Sequence, residues 1–183
     1  MKLFFTIIIL IIFASAGFAQ LKELPEKEIP EDYGYIVKIG QQVPDVEFKL
    51  VDGEKIRTSD LKGKVVMLQF TASWCSVCRK EMPHIESDIR QKNKDNINFA
   101  VYGIDLDEPL STVKKFAEDM EISYPLALDP KGKIFYKFAE QGAGVTRNVI
   151  IDKTGKIVYM TRLYNEDEFN EMVKVIDFLL EET

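Results

Sequence analysis

Apolar residues come in runs along this chain, and the period of the runs changes. Residues 65–71, Val-Val-Met-Leu-Gln-Phe-Thr, are almost continuously apolar, the pattern of a strand buried on both faces. Residues 97–104 repeat it. Residues 46–50 alternate, Val51-Asp52-Gly53-Glu54 makes a turn, and 55–58 return, which predicts a β-hairpin. Ser59 to Gly63 reads as a short capped turn. Helical spacing takes over at 79–92, at 110–120 (Val113, Phe116, Ala117, Met120) and at 169–180 (Phe169, Met172, Val173, Ile176, Leu179, Leu180). A short extended piece is expected at 123–128 and a small helix at 134–140. A second hairpin is expected from 147–152 and 156–161, around Asp152-Lys153-Thr154-Gly155. This order predicts an α/β fold: a mixed central sheet with an N-terminal β-hairpin and helices on both faces.

The N-terminus follows another pattern. Lys2 precedes an apolar run and then small residues, and Gly17-Phe18-Ala19 fits a cleavage site. Residues 1–19 therefore read as a signal peptide. The rival reading is an uncleaved membrane anchor, because residues 3–19 reach the lower limit of about 17 residues for a span. No cysteine near the cleavage site supports lipid attachment. Either way the folded part is expected on the periplasmic side of a membrane, where disulfide chemistry is at home. Residues 20–39, polar and punctuated by Pro25 and Pro30, read as a linker or loosely attached arm. Tyr33, Tyr35, Ile36 and Val37 are candidates to dock its end. Residues 40–183 suit one domain with a single core, without internal repeats. The chain carries 24 Lys and Arg against 30 Asp and Glu, so its formal charge is −6. An acidic globule repels phosphate backbones, and nucleic acid is not an expected partner.

The chain's two cysteines stand in Trp74-Cys75-Ser76-Val77-Cys78, after the apolar run and before the first helical segment. A strand feeding a helix that opens on C-x-x-C is suited to redox chemistry. The unpaired N–H groups of a helix N-terminus favour thiolate at the first cysteine. The second lies one turn deeper, close enough to attack a mixed disulfide. A structural zinc site needs four ligands, and the chain has these two cysteines and one histidine, His84. Haem attachment needs histidine after the second cysteine, where Arg79 stands. A structural disulfide closing so short a loop would stabilise little. No cofactor or metal is expected.

The stretch DGEKIRTSDLKGKVVMLQFTASWCSVCRKEMPHIE, with NVIIDKTGKIV later, resembles the thioredoxin-like proteins of the TlpA/ResA group, thiol–disulfide oxidoreductases that work outside the cytoplasm. The resemblance covers residues ~40–182 and implies a thioredoxin-like fold. It assigns Cys75 as the attacking cysteine, Cys78 as the resolving one, and Trp74 as the indole of the docking surface. Pro83 shapes the active-site helix. It implies protein disulfides as substrates and a membrane or periplasmic dithiol as electron donor.

Ordinary thioredoxins bury an aspartate six residues before the first cysteine; here that residue is Gln69, which does not titrate. The ResA-like subgroup has a glutamate three residues after the second cysteine, and Glu81 stands there, on the helix face of Cys78. The resemblance makes Glu81 the acceptor of the Cys78 proton; the alternative is a solvated helix glutamate. The family's cis-proline is replaced by Thr146. A non-proline cis bond costs ~3–4 kcal/mol, so a trans Val145–Thr146 bond is expected, and the substrate contact at Val145 and Thr146 is put in question. Arg147 would stand beside the site, lowering the Cys75 pKa, or face outward as a structural arginine. His84 reads as a surface or packing residue. Gly142-Ala143-Gly144 and residues 105–108 read as loops that border a partner groove. Peroxide reduction is the runner-up, suggested by threonine at position 146, but the P-x-x-x-[T/S]-x-x-C motif is missing. A third reading is a binding module with an idle disulfide.

Overall fold

The apolar run at 65–71 becomes the middle of a seven-stranded sheet. In the computed structural model, which describes residues 27–181, all seven residues of β3 (Val65–Thr71) are buried. β4 (Phe99–Leu106) lies parallel on one side of it, and β5 (Leu126–Asp129) parallel beyond that. On the other side come β6 (Arg147–Ile151) and then β7 (Ile157–Arg162), both pairings antiparallel. The N-terminal hairpin, β1 (Glu47–Leu50) and β2 (Lys55–Arg57), attaches antiparallel to β5, giving the order β2-β1-β5-β4-β3-β6-β7.

Strand alternation divides the core in two. Val65 and Met67 face a cluster completed by α1 (Ser76–His84), α2 (Leu110–Asp119) and α3 (Glu166–Glu181), with Met82, Phe116, Phe169 and Met172 in it. Val66, Leu68 and Phe70 face the opposite cluster, closed by Phe135 and Phe138 from a region of 3-10 turns and by Val37 from the N-terminal arm. Helical segments thus cover both faces. The signal-peptide reading of residues 1–19 lies outside the described residues, and among the described residues no helix is long and apolar enough to cross a membrane.

The first strand after α1 starts at Phe99, two residues later than the pattern predicts. Asn96 accounts for it: its side chain accepts the Asn98 N–H and its carbonyl the Phe99 N–H, and Ile97 is left 81 % exposed in the turn. The helix expected at 134–140 shrinks to a 3-10 turn, Phe135–Lys137. Asp129 accepts the N–H groups of Ile134 and Phe135, at 2.8 Å each, and Ala139 is drawn into a bridge with Tyr35. Residues 105–108 are not all loop, because Asp105 and Leu106 end β4 and Asp105 is fully buried.

The arm is tied down from Lys27 onward. Lys27 Nζ meets Glu168 at 2.5 Å and the Tyr159 hydroxyl at 3.0 Å. The Tyr35 hydroxyl donates to the Thr161 carbonyl at 2.6 Å, with the Asn148 carbonyl 3.2 Å away.

Candidate active site

β3 ends at the carboxyl edge of the sheet, and Ala72 to Cys75 turn there into α1. Cys75 is the N-cap of that helix: its backbone is extended, and its Sγ accepts the Cys78 N–H at 3.2 Å. The two cysteines form a disulfide with Cα atoms 5.3 Å apart. Cys75 is 7 % exposed and Cys78 not at all. The outer sulfur is therefore also the one at the positive end of the helix.

Thr146 meets both sulfurs. Its hydroxyl lies 3.1 Å from Cys75 Sγ and 3.3 Å from Cys78 Sγ. The described residues contain no cis peptide bond, so Val145–Thr146 is trans, as the penalty on a non-proline cis bond requires. Val145 and Thr146 are buried just before β6, where they bring a hydroxyl to the disulfide.

Trp74 projects into solvent, 65 % exposed, rather than packing in the core. The loop before it is pinned at Ser73, whose N–H and hydroxyl both donate to the Glu108 carboxylate at 2.6 Å. A cleft of about 410 Å³ opens at Ser73 and is lined by Arg79, Lys115 and Phe116 among others. Asp105, deep behind Glu108, has its pKa pushed up to about 8, first by burial and then by the Glu108 charge.

Glu81 is buried, which removes the solvated-helix alternative. Asn148 Nδ2 donates to its Oε1 at 2.6 Å and Gln69 Nε2 approaches Oε2 at 3.4 Å. Gln69 Oε1 in turn accepts the Tyr124 hydroxyl at 2.8 Å. Burial raises the Glu81 pKa and the two amides pull it back, leaving it at about 7. The glutamine that replaces a titrating aspartate is thus a relay between a buried phenol and a buried carboxylate.

Arg147 corrects its outward-facing reading: it is fully buried. Its Nε donates to the Gly144 carbonyl at 2.9 Å, and the guanidinium stacks over the Tyr35 ring at 4.5 Å. His84 packs face to face with Tyr164 at 5.2 Å, with Nδ1 4.0 Å from Asp88.

The sequence reading passed over Asn148, Tyr124 and the contacts of Tyr35, and saw Glu108 only as part of a loop. Only Asn148 left a signal: it is a lone amide at the head of an apolar strand, in register with Thr146 by alternation.

A model of the AhpC/TSA family matches residues 39–160. The chain belongs to that family. "Thiol-disulfide oxidoreductase ResA" of Bacillus cereus is 31 % identical to this family member over 158 residues, covering 86 % of each chain. Among solved structures, a putative protein disulfide isomerase from Bacteroides thetaiotaomicron superposes with a TM-score of 0.79 at 58 % identity, covering 81 % of this chain and 94 % of that one. A putative thiol:disulfide interchange protein DsbE from Chlorobium tepidum gives 0.68 at 27 % identity, over 79 % and 99 %. The mixed seven-stranded sheet is accordingly a thioredoxin-like fold.

Proposed function

We infer that this chain is a thiol–disulfide oxidoreductase that reduces protein disulfides on the periplasmic side of a membrane. One observation carries the reading: a C-x-x-C disulfide caps a helix, with the outer sulfur at the helix end and a buried carboxylate, Glu81, one turn beyond the inner one. Relatives named for thiol–disulfide exchange support it.

In the reduced protein, Cys75 thiolate attacks a client disulfide. One client sulfur leaves with the electron pair and a Cys75–client disulfide forms. Cys78 then gives its proton to Glu81, and its thiolate attacks Cys75 Sγ. The Cys75–Cys78 bond forms, the second client sulfur leaves as thiolate, and the client has gained two electrons. Glu81, with a pKa of about 7, takes and returns a proton readily at neutral pH. Exposed Trp74 forms the docking edge, buried Val145 and Thr146 back the disulfide beside it, and an external dithiol restores the pair. The pattern of residues 1–19 supports the location, whether cleaved or kept as an anchor.

Insulin-type disulfide reduction tests the reading. Wild type should reduce insulin, and Cys75→Ser and Cys78→Ser should not, while Cys78→Ser should accumulate mixed disulfides whose partners mass spectrometry identifies. Glu81→Gln should slow release of the mixed disulfide and spare its formation. Full biological function with both cysteines replaced would instead indicate a binding module. Rapid catalytic consumption of hydrogen peroxide, with a sulfenic acid on Cys75, would indicate a peroxide reductase.

A further inference from the structure

Asn148 belongs to β6, two residues beyond Thr146 and on the same face of the strand by alternation. Its buried amide donates twice, to Glu81 Oε1 at 2.6 Å and to Thr161 Oγ1 of β7 at 2.9 Å. Its backbone lies opposite Gln69 of β3, and its carbonyl is 3.2 Å from the Tyr35 hydroxyl. Both backbone and side chain are therefore fixed from three directions. The same short segment presents the Thr146 hydroxyl to the two sulfurs.

We propose that Asn148 is a positioning residue for the resolving step: its amide holds the Glu81 carboxylate on the turn of α1 that carries Cys78 and ties it to the strand segment that bears Thr146. The proposal rests on the assignment of Glu81 as acceptor of the Cys78 proton.

The chemistry explains why an amide suits this position. A proton acceptor buried among apolar groups stays protonated at neutral pH and accepts nothing. A lysine or arginine beside it would hold it ionised so firmly that its conjugate acid would not form. A neutral N–H donor favours the carboxylate without adding a charge. Asn148 at 2.6 Å is the strong donor of this kind, and Gln69 at 3.4 Å the weak one. Glu168 from α3 acts in the same direction as burial. The other titratable groups that feel Glu81 are the phenols of Tyr124, Tyr35 and Tyr164, all shifted upward and hence neutral at the working pH. No cation is among the causes that set the Glu81 value, so Asn148 dominates the stabilisation of the anion.

The proton passes from Cys78 Sγ–H to a Glu81 oxygen. Asn148 supplies no proton and gains none. It lowers the cost of the ionised state and keeps the carboxylate from turning away.

The test is stopped-flow resolution of a preformed disulfide between Cys75 and a client peptide, from pH 5 to 9, in wild type, Glu81→Gln, Asn148→Leu and Gln69→Leu. In Asn148→Leu the pH midpoint of resolution should rise by about one to two units, the equivalent of one charge-assisted hydrogen bond. Mixed-disulfide formation should be unchanged, and Gln69→Leu should shift the midpoint less. An isotope-edited infrared titration of the Glu81 carboxyl should show the same displacement. If Asn148→Leu does not fold, Asn148→Ser keeps a single hydroxyl donor and should give an upward shift of intermediate size. An unmoved midpoint in the folded Asn148 variants, with Glu81→Gln still slow, overturns the proposal and leaves the Glu81 reading intact. Unchanged resolution in Glu81→Gln overturns both.

Discussion

Cys75 and Cys78 are three residues apart and share the Thr146 hydroxyl, yet they differ in their place on the helix and in exposure. Cys75 Sγ sits at the N-cap, accepts a helix N–H and keeps a little exposure, 7 %, whereas Cys78 is sealed. Alkylation of the reduced protein should therefore modify Cys75 first at every pH between 6 and 9. Preferential labelling of Cys78, read by peptide mapping, would reverse the assignment. Thr146 adds a donor that the sequence pattern did not announce, 3.1 Å from the outer sulfur. Thr146→Val keeps the shape and deletes the hydroxyl. The pH of half-maximal Cys75 alkylation should then rise by about one to two units, the value of one hydrogen bond to a charged group. No change would mean that the hydroxyl serves packing alone.

At the scale of elements, α1 carries Cys78 and Glu81 behind its Cys75 cap and then changes its winding. Pro83 lacks an N–H within the helix, and from Ile85 to Gln91 the backbone continues as a π-helix. Met82 and Ile85 stay buried through the change, so the helix remains seated on the sheet. β4 fits closely enough that Gly103 has no room for a side chain. A Cβ there would collide with the Leu126 side chain and lie 3.6 Å from Gln69 Oε1. Gly103→Ala should cost roughly 1–3 kcal/mol, the usual range for overpacking, and chemical denaturation measures it. Because the collision lies beside the Gln69–Tyr124 contact, the variant should also slow mixed-disulfide resolution. A variant as stable as wild type would show that Leu126 yields freely.

At the scale of the molecule, the buried acids set how stability responds to pH. Glu81 is raised from 4.5 to about 7 and Asp105 from 3.8 to about 8. Between those limits the folded protein holds protons that the unfolded chain has released, so the stability these two acids contribute is fully present below their unfolded values and falls as pH rises through the window. The carboxyls of Asp45, Glu47 and Glu86 are lowered, and their contribution is lost only on acidification below about pH 4. From pH 5 to pH 8 the unfolding free energy should accordingly drop, with a share on the order of 3 kcal/mol from Glu81. Glu81→Gln should flatten the profile. A wild-type profile that rises over this range would contradict the protonated state of the buried acids. The arm also belongs to this scale. Its Tyr35 ring covers the Arg147 guanidinium and its hydroxyl reaches β6 and β7, so the start of the described chain braces the strands behind the disulfide.

The sequence by itself determined what depends on local order: the apolar β3, the two hairpins, the amphipathic α3 and the placing of Cys75 and Cys78 at a helix start. Period, turn residues and spacing report these directly. Asn96 and Asp129 moved two element boundaries because a side chain captured backbone N–H groups, a competition that hydrophobic periodicity does not register. The identity of Glu81 was legible, but its surroundings were not. Asn148 lies 67 residues away in sequence and Gln69 lies 12 away, and only the pairing of β6 against β3 under α1 brings these amides to the carboxylate. The outward-facing reading of Arg147 failed for the same reason, since its ring partner Tyr35 lies more than a hundred residues earlier in the chain. Burial and partnership across the sheet decide proton affinity, and both are properties of the folded chain.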